Sequence, residues 1–179
     1  AAPLTPKPPM LSPPVPADEP ERLRVLRQLQ LLDTAPEEAF DALTRLASEL
    51  LDVPIALVSL VDAGRQWFKS RQGLDAQQTP RDIAFCAHAI LGRETFVVGD
   101  AAPDRRFLDN PLVRDDPGIR AYMGVPLVSQ EGHALGTLCA IDQRPRAFTP
   151  REVRILEDLA RICQREIQNR ELALQARAL

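Results

Sequence analysis

Cys86 and His88 are the residues that most directly suggest chemistry, because a thiol and an imidazole can form a nucleophile–base pair or bind a metal. They are two positions apart in an apolar stretch with helical spacing. On a helix, the side chains at positions i and i+2 point about 200° apart, so Cys86 and His88 cannot both bind the same atom. Cys139 could add one further ligand, whereas zinc needs three or four close ones. The sequence therefore predicts no metal site, with Cys86 in the core and His88 bonded to the backbone or lining a cavity.

Residues 82–91 are the predicted helix that carries these two side chains, with Asp82 as the N-cap and Gly92 just past the end. One side is an apolar stripe at i, i+3, i+4, i+7 and i+8, formed by Ile83, Cys86, Ala87, Ile90 and Leu91. Phe85 and His88 lie on another uncharged side. We expect one side to pack on a β-sheet and the other to close a small cavity.

The remaining elements are predicted to build the walls of that arrangement. Apolar spacing indicates a helix over 21–33, a second helix whose buried face runs from 40 to 51, and a terminal helix that starts at a capping box over 149–152. Five strands are predicted, over 53–62, 66–71, 95–98, 119–129 and 133–142. Polar loops are expected over 73–79 and, at unusual length, over 100–118.

Two hairpins in this order require antiparallel pairing. The predicted fold class is therefore α+β, with a central antiparallel sheet and the N- and C-terminal helices on one face. On the other face we expect a short helix plus loop covering a pocket.

Composition and charge exclude several classes of partner. The chain has 179 residues and a formal net charge of −3, so no basic surface for nucleic acid is predicted. No apolar run approaches the roughly 20 residues that span a bilayer, and no membrane partner is expected. Three widely separated cysteines fit a reducing cytoplasm better than a disulfide framework. Residues 1–20 contain eight prolines and are predicted to be a disordered leader. The chain itself is expected to be a processed or excised piece of a protein.

Several stretches, in chain order, resemble those of bacterial GAF domains. They are Ser59–Asp62, Arg65–Ser70 with Gly73–Leu74, Phe85–Ile90, Asp100–Ala101, Asp104–Phe107 with Asn110–Pro111, Ala121–Leu127 and Gly132–Asp142. The resemblance covers about residues 21–168 and implies an antiparallel sheet, a small-molecule pocket, and terminal helices that pair subunits and pass a signal onward. The chain is similar to the GAF domains that are found before histidine kinase or diguanylate cyclase output domains, including those of two-component systems. Family membership leaves the ligand open.

The resemblance, together with the strand faces, implies which side chains surround the pocket. The candidates for its walls are Trp67, Phe85, His88, Phe107, Tyr122 and Cys139. Arg65, Asp104 and Arg106 are expected near the mouth, as polar groups that set specificity. Simple core packing is the alternative for the aromatic side chains. The ligand is expected to be a small molecule, and these residues identify no cofactor.

A redox enzyme is the main alternative function, because a branch of the family reduces free methionine sulfoxide with cysteines. That reaction needs an accessible thiolate with a resolving partner. Cys86, Cys139 and Cys163 are instead predicted to lie on a buried helix, mid-strand and on the terminal helix. The sequence is therefore interpreted as a sensor that is not an enzyme. A purely structural dimerisation module without a ligand is the third interpretation.

The terminal helix gives a separate signal. Val153, Leu156, Ala160, Cys163 and Ile167 repeat at 3-4 spacing, and Leu174 continues the pattern after Arg170. The stripe is expected to be either a homodimer seam or core. Because the helix outlasts the domain, we expect it to lead to an output domain on a longer parent chain. The predicted organisation is a leader over 1–20, a sensor domain over 21–168, and the end of a signalling and dimerisation helix over 169–179.

Overall fold

The computed structural model describes residues 11–179, and these form five α-helices and six strands. The helices are α1 (Glu19–Gln28), α2 (Glu38–Leu51), α3 (Phe85–Ala89), α4 (Pro111–Arg114) and α5 (Pro150–Arg177). The strands are β1 (Ile55–Val61), β2 (Arg65–Gln72), β3 (Gln78–Pro80), β4 (Phe96–Val98), β5 (Ala121–Val128) and β6 (Ala134–Asp142). Half of the predicted leader, residues 1–10, lies outside the described residues, and residues 11–16 have no regular secondary structure.

The six strands form one antiparallel sheet in the order β3-β2-β1-β6-β5-β4. β1 and β6 are neighbours in the centre, and every residue of both is buried because both faces are covered there. The two strands approach so closely at Gly136 that a Cβ on it would stand 2.9 Å from the Cα of Leu60. The α+β fold class predicted from the hairpins is confirmed.

The helices α1, α2 and α5 cover one face of the sheet and enclose most of the core. Successive side chains of a strand point to opposite faces. Accordingly, Ala56, Val58 and Leu60 of β1 pack in the helix layer. Ile55 and Leu57 belong to a separate cluster on the other face. This second cluster surrounds the candidate site.

The apolar stripe of α5 packs on the sheet. Leu156, Ala160, Cys163 and Ile167 are at most 2% exposed and belong to the helix-layer core. The stripe was predicted to be either a homodimer seam or part of the core, and in this chain it packs in the core. Side chains that are free to meet another molecule lie elsewhere on α5, among them Ile162, which is 58% exposed.

The predicted helix over 82–91 is wrong in its extent. The chain forms a 3₁₀ turn at Arg81–Ile83, passes through an extended Ala84, and is α-helical only at α3. The carbonyl oxygen of Ile83 accepts a hydrogen bond of 3.0 Å from the side-chain amide of Asn110. Because this carbonyl is engaged by a distant loop, the backbone bends at the next residue instead of continuing the helix.

Two short elements lie inside segments that were predicted to be irregular. The predicted loop over 73–79 contains the start of β3, which pairs with the beginning of β2. The predicted long loop over 100–118 contains α4, whose first turn is capped by the side chain of Asn110. Both are shorter than the patterns that sequence periodicity can detect.

A buried cluster of charged side chains ties α1 to the sheet. Arg22 is fully buried, and its Nη1 donates to the carbonyl oxygen of Val61 at 2.7 Å. Its Nε donates to Glu19 at 2.8 Å, and Glu19 also bonds Arg81. Burial acts to raise the pKa of Glu19, but the hydrogen bonds from Arg22 and Arg81 outweigh it and lower the pKa from 4.5 to about 2.

Candidate functional site

A cavity of about 380 Å³ lies on the sheet face opposite the terminal helices. This volume falls within the range of small-molecule pockets. The sheet supplies the floor, with Ile55, Leu57, Phe68, Tyr122, Cys139 and Ile141. The walls come from α3 and from two connecting segments, with Phe85, Leu74, Asp75, Leu112, Asp116 and Ile119. Most of this lining is apolar.

Tyr122 extends along the floor over Gly124, which lies on the same strand face. A Cβ on Gly124 would stand 2.8 Å from the Cε1 and Cζ atoms of Tyr122, so only glycine leaves room for the ring. The hydroxyl group of Tyr122 lies 3.4 Å from Oγ1 of Thr137. Burial raises the pKa of Tyr122 well above its usual value. Tyr122 is therefore neutral and contributes an aromatic surface to the cavity.

Phe85 forms a rigid wall of the cavity. Its ring stacks on Phe107 with centroids 3.9 Å apart and an interplanar angle of 4°. It also meets Tyr122 at a tilted angle, with centroids 5.2 Å apart. Phe107 lies behind Phe85 and is absent from the cavity lining. Such aromatic contacts restrict ring motion and stabilise one wall position.

The side chain of Gln66, in the cavity floor, is hydrogen-bonded to its neighbours. The side-chain oxygen of Gln66 accepts hydrogen bonds from Sγ of Cys86 at 2.7 Å and from Oγ of Ser59 at 3.1 Å. Its amide nitrogen donates to Oγ1 of Thr79 at 2.5 Å. Burial raises the pKa of Cys86 to about 12, so its thiol is protonated at neutral pH. The arrangement orders the floor and does not generate a nucleophile.

His88, Asp104 and Arg106 form a polar cluster beside Phe107 and outside the cavity lining. Nη2 of Arg106 bonds Asp104 at 2.6 Å, and its guanidinium group lies 5.0 Å and 5.3 Å from the ring centroids of Phe96 and Phe107. The ring of His88 meets Phe107 edge-on at 5.1 Å. Burial lowers the pKa of His88, and the charge of Arg106 lowers it further. His88 is therefore neutral at pH 7.

The structure divides the predicted site residues into three groups. Phe85, Tyr122 and Cys139 line the cavity. A second group stands beside the cavity, as the cluster of His88, Phe107, Asp104 and Arg106. Trp67 and Arg65 lie elsewhere.

Trp67 and Arg65 are corrections to the predicted pocket. Trp67 pairs with Leu60 and packs in the helix-layer core, whereas the next residue, Phe68, lines the cavity. Two adjacent aromatic residues give no indication of which one faces which side, and the prediction chose the wrong one. Nη2 of Arg65 bonds Asp33 at 2.7 Å and its Nε bonds Asp62 at 3.1 Å, so it braces the β1–β2 turn.

Sequence reasoning also missed Leu74, Asp75, Asp116 and Ile119 in the lining. All four lie in or next to connecting segments, where periodicity carries no information about which side chains point inward. The unusual length of the segment over 100–118 was the available signal, because such loops often cover a binding site.

Residues 11–179 show neither of two further features that would indicate another kind of function. No group of three or more His, Cys, Asp or Glu side chains in this part of the chain is arranged to hold a metal ion. None of its helices is both long and apolar enough to cross a membrane.

Solved structures with this fold include two GAF domains. The chain superposes on the PixJ GAF domain of Thermosynechococcus elongatus, in its blue-light absorbing form, with a TM-score of 0.63 and 18% identity, covering 87% of this chain and 94% of that one. It superposes on the GAF domain of a phosphoenolpyruvate-protein phosphotransferase from Acinetobacter with a TM-score of 0.64 and 14% identity, covering 85% and 95%. At these identities the likeness establishes the fold alone.

A curated relative is more similar in sequence. A cyclic di-GMP phosphodiesterase of Pseudomonas aeruginosa is 46% identical over 159 residues, which are 88% of this chain and 27% of that protein. The chain thus spans about a quarter of the length of this relative. The prediction that the protein is not an enzyme is contradicted by this finding, because the relative is itself named as an enzyme.

The family assignment follows from a direct match. The model of the GAF domain family matches residues 35–167, which include α2, the whole sheet and most of α5. This is well over half of the chain, and it contains every element that surrounds the cavity. The chain belongs to the GAF domain family.

Proposed function

We propose that this GAF domain is the sensory part of a longer signalling protein with cyclic di-GMP phosphodiesterase output, and that it binds a small ligand in the cavity. The cavity carries the ligand proposal, because it is apolar, of ligand size, and placed on the sheet face that the terminal helices leave free. The output is proposed from the relative that is named for that activity and is 46% identical. Its name favours a phosphodiesterase over the diguanylate cyclase expected from the resemblance.

The sheet provides the route from the cavity to α5. In β6, Cys139 and Ile141 line the cavity, whereas Leu138 and Ala140, which alternate with them, belong to the core under the helices. A ligand that shifts this strand therefore changes the surface on which α5 packs. Binding favours one arrangement of the cavity segments and of α5, which passes the difference to the output domain. Residues 169–179 are the end of this signalling helix in the proposal.

Exposed leucine and isoleucine side chains on the outer surface of the helix layer support a homodimer. Leu46 and Leu50 of α2 are 42% and 52% exposed, and Ile162 and Leu172 of α5 are 58% and 53% exposed. Apolar residues of this size on two neighbouring helices favour contact with another subunit. The three free thiols support a cytoplasmic location.

The methionine sulfoxide reductase alternative has less support. All three cysteines are buried, and burial raises the pKa of Cys86 and of Cys163 to about 12. Burial also raises the pKa of Cys139. The reaction requires an accessible thiolate, which these surroundings disfavour.

Native mass spectrometry of the freshly purified protein tests the ligand proposal, with a variant that fills the cavity. Leu74→Trp places a larger side chain in the lining, and Leu91→Trp is the matched control at an exposed position outside it. We expect wild type and Leu91→Trp to carry an extra mass that denaturation removes, and Leu74→Trp to be bare. The same mass in all three proteins, or no extra mass in any, would contradict the proposal.

A further inference from the structure

The charged groups of the cavity lining are all acidic. Asp75 follows β2 and Asp116 follows α4, so two separate segments each bring one carboxylate to the same cavity. Among the described residues 11–179, no Lys, Arg or His belongs to the lining. Within residues 11–179, neither carboxylate forms an ion pair with a basic side chain, and both residues are exposed at the mouth. Two carboxylates without a salt-bridge partner among the described residues therefore stand at the entrance.

Two arginine side chains on segments that adjoin the cavity are directed at backbone carbonyl groups. Nη1 of Arg71 donates to the carbonyl oxygen of Asp75. Nη1 of Arg120 donates to the carbonyl oxygens of Val113 at 2.7 Å and Ile119 at 3.0 Å. Neither arginine is part of the lining. Recognition of a phosphate or carboxylate ligand uses basic groups or N–H donors aimed at the ligand, and these arginines do not supply them.

The side chain of Gln66 on the cavity floor is already hydrogen-bonded within the protein. The amide group of Gln66 is taken up by Cys86, Ser59 and Thr79. An anion in the cavity would thus meet two like charges at the mouth and, at the floor, an amide group already engaged by three neighbours. Removing an anion from water without new partners is costly.

The aromatic walls suit the opposite charge. Phe68, Phe85 and Tyr122 all line the cavity, and Tyr122 is uncharged. The faces of aromatic rings attract cations, more strongly where water is excluded. Apolar walls and a negative mouth together favour a ligand with an apolar body and one positive charge.

We infer that the cavity selects a compact, mainly apolar cation, such as an amine or a quaternary ammonium compound, over an anion of the same shape. This inference rests on the proposed ligand-binding function and specifies the chemical class of the ligand. The apolar part occupies the space between Phe85 and the sheet, and the positive charge lies toward Asp75 and Asp116.

Three probes of similar shape and different charge test it. They are benzyltrimethylammonium, neutral benzyl methyl sulfone, and phenylmethanesulfonate. Isoleucine-methyl NMR reports their position, because Ile55, Ile119 and Ile141 line the cavity and Ile162 and Ile167 of α5 do not. We expect the cation to shift the three cavity methyl groups with a Kd about fivefold below that of the sulfone, and the anion to bind more weakly than both.

The variants Asp75→Asn and Asp116→Asn, separately and together, assign the preference to these carboxylates. The double variant should bind the cation and the sulfone within about twofold of each other. Asp115→Asn is the matched control, since Asp115 adjoins Asp116 but is outside the lining, and it should keep the wild-type preference.

The possible results separate this inference from the proposed function. Equal binding of all three probes at the cavity methyl groups, or tighter binding of the anion, overturns the charge preference and leaves a ligand cavity in place. A preference that survives in the double variant overturns the role of Asp75 and Asp116. If no probe shifts Ile55, Ile119 or Ile141, both the inference and the proposed ligand site fail.

Discussion

The carboxylate of Glu37 joins β2 to α5, and neutralising it measures how firmly the C-terminal helix is held. It lies 2.6 Å from Nζ of Lys69, whose side chain is 0% exposed, and it accepts hydrogen bonds from both Nη atoms of Arg170. Lys69 has two further acceptors, Oγ1 of Thr34 and the carbonyl oxygen of Ala35, each at 2.7 Å. Without the carboxylate of Glu37, the buried ammonium group of Lys69 keeps only these two neutral acceptors.

We expect Glu37→Gln to lower the free energy of unfolding by about 2 kcal/mol. Breaking a fully buried ion pair costs roughly 3–5 kcal/mol. The cost is smaller here, because the side chain of Glu37 is 34% exposed and water screens part of its charge. For a chain of this length, about 2 kcal/mol corresponds to a fall in Tm of about 4–8 °C.

Urea unfolding at low ionic strength of wild type and two matched variants measures this loss, because an uncharged denaturant does not screen the ion pair. Glu38→Gln is the control, because Glu38 is 74% exposed and its partner Arg45 is 49% exposed. Such a surface pair contributes about 0.5 kcal/mol or less. A loss in Glu37→Gln no larger than the loss in Glu38→Gln would refute the reasoning.

The same variant should change how stability depends on pH. The hydrogen bond from Arg170 is the main cause that lowers the pKa of Glu37 from 4.5 to about 2. Since the folded pKa lies below the unfolded one, the stability from this carboxylate is present above about pH 4.5 and is lost as the pH falls toward 2. Wild type should therefore lose more stability than Glu37→Gln over this range. Glu19 titrates in both proteins, so parallel curves would contradict the assignment to Glu37.

Three further predictions concern the sheet, the thiols and α5. Gly136→Ala should cost more than about 3 kcal/mol because its Cβ would collide with β1, whereas Gly64→Ala, in open space, should change stability by less than about 0.5 kcal/mol; similar denaturation midpoints would contradict this. The thiols are buried and the pKa of Cys86 is raised to about 12, so iodoacetamide at pH 8 should leave the native protein unmodified by mass and label it in denaturant; rapid native labelling would be evidence against it. Removing residues 172–179 should weaken the proposed homodimer in sedimentation velocity with little change in Tm, and unchanged dimer affinity would count against a contact there.

The sheet and its helix layer were predictable because their signals are local. The apolar run of β1 and the alternation of β2 each identify a strand from its own residues. It was harder to predict which face of the sheet each side chain of β2 points to, because Trp67 and Phe68 are both large and apolar. Pairing with β1 decides it, and the register of that pair shifts between Val58 and Ser59. Such a bulge depends on both strands and leaves no mark on either alone.

The site was less predictable because distant contacts determine it. The helix expected over 82–91 breaks where Asn110, far along the chain, bonds the carbonyl oxygen of Ile83. The sensor domain was expected to end at residue 168, where the family resemblance ends, but contacts to the rest of the domain continue beyond that residue. Glu171 accepts a hydrogen bond from the backbone of Gln130 at 3.0 Å, and Arg170 bonds Glu37. For this reason the proposed truncation begins at residue 172.

Hydrogen–deuterium exchange with and without saturating benzyltrimethylammonium tests the central claim most directly. The account predicts slower exchange in the segments over 73–77 and 111–118, which line the cavity mouth, and a change of exchange in α5 on the opposite face. In the double variant of Asp75 and Asp116, both effects should need about a fivefold higher probe concentration, in line with its weaker binding of the cation. Slower exchange at the mouth with α5 unchanged would contradict transmission through the sheet, and no change in either region would contradict the ligand cavity itself.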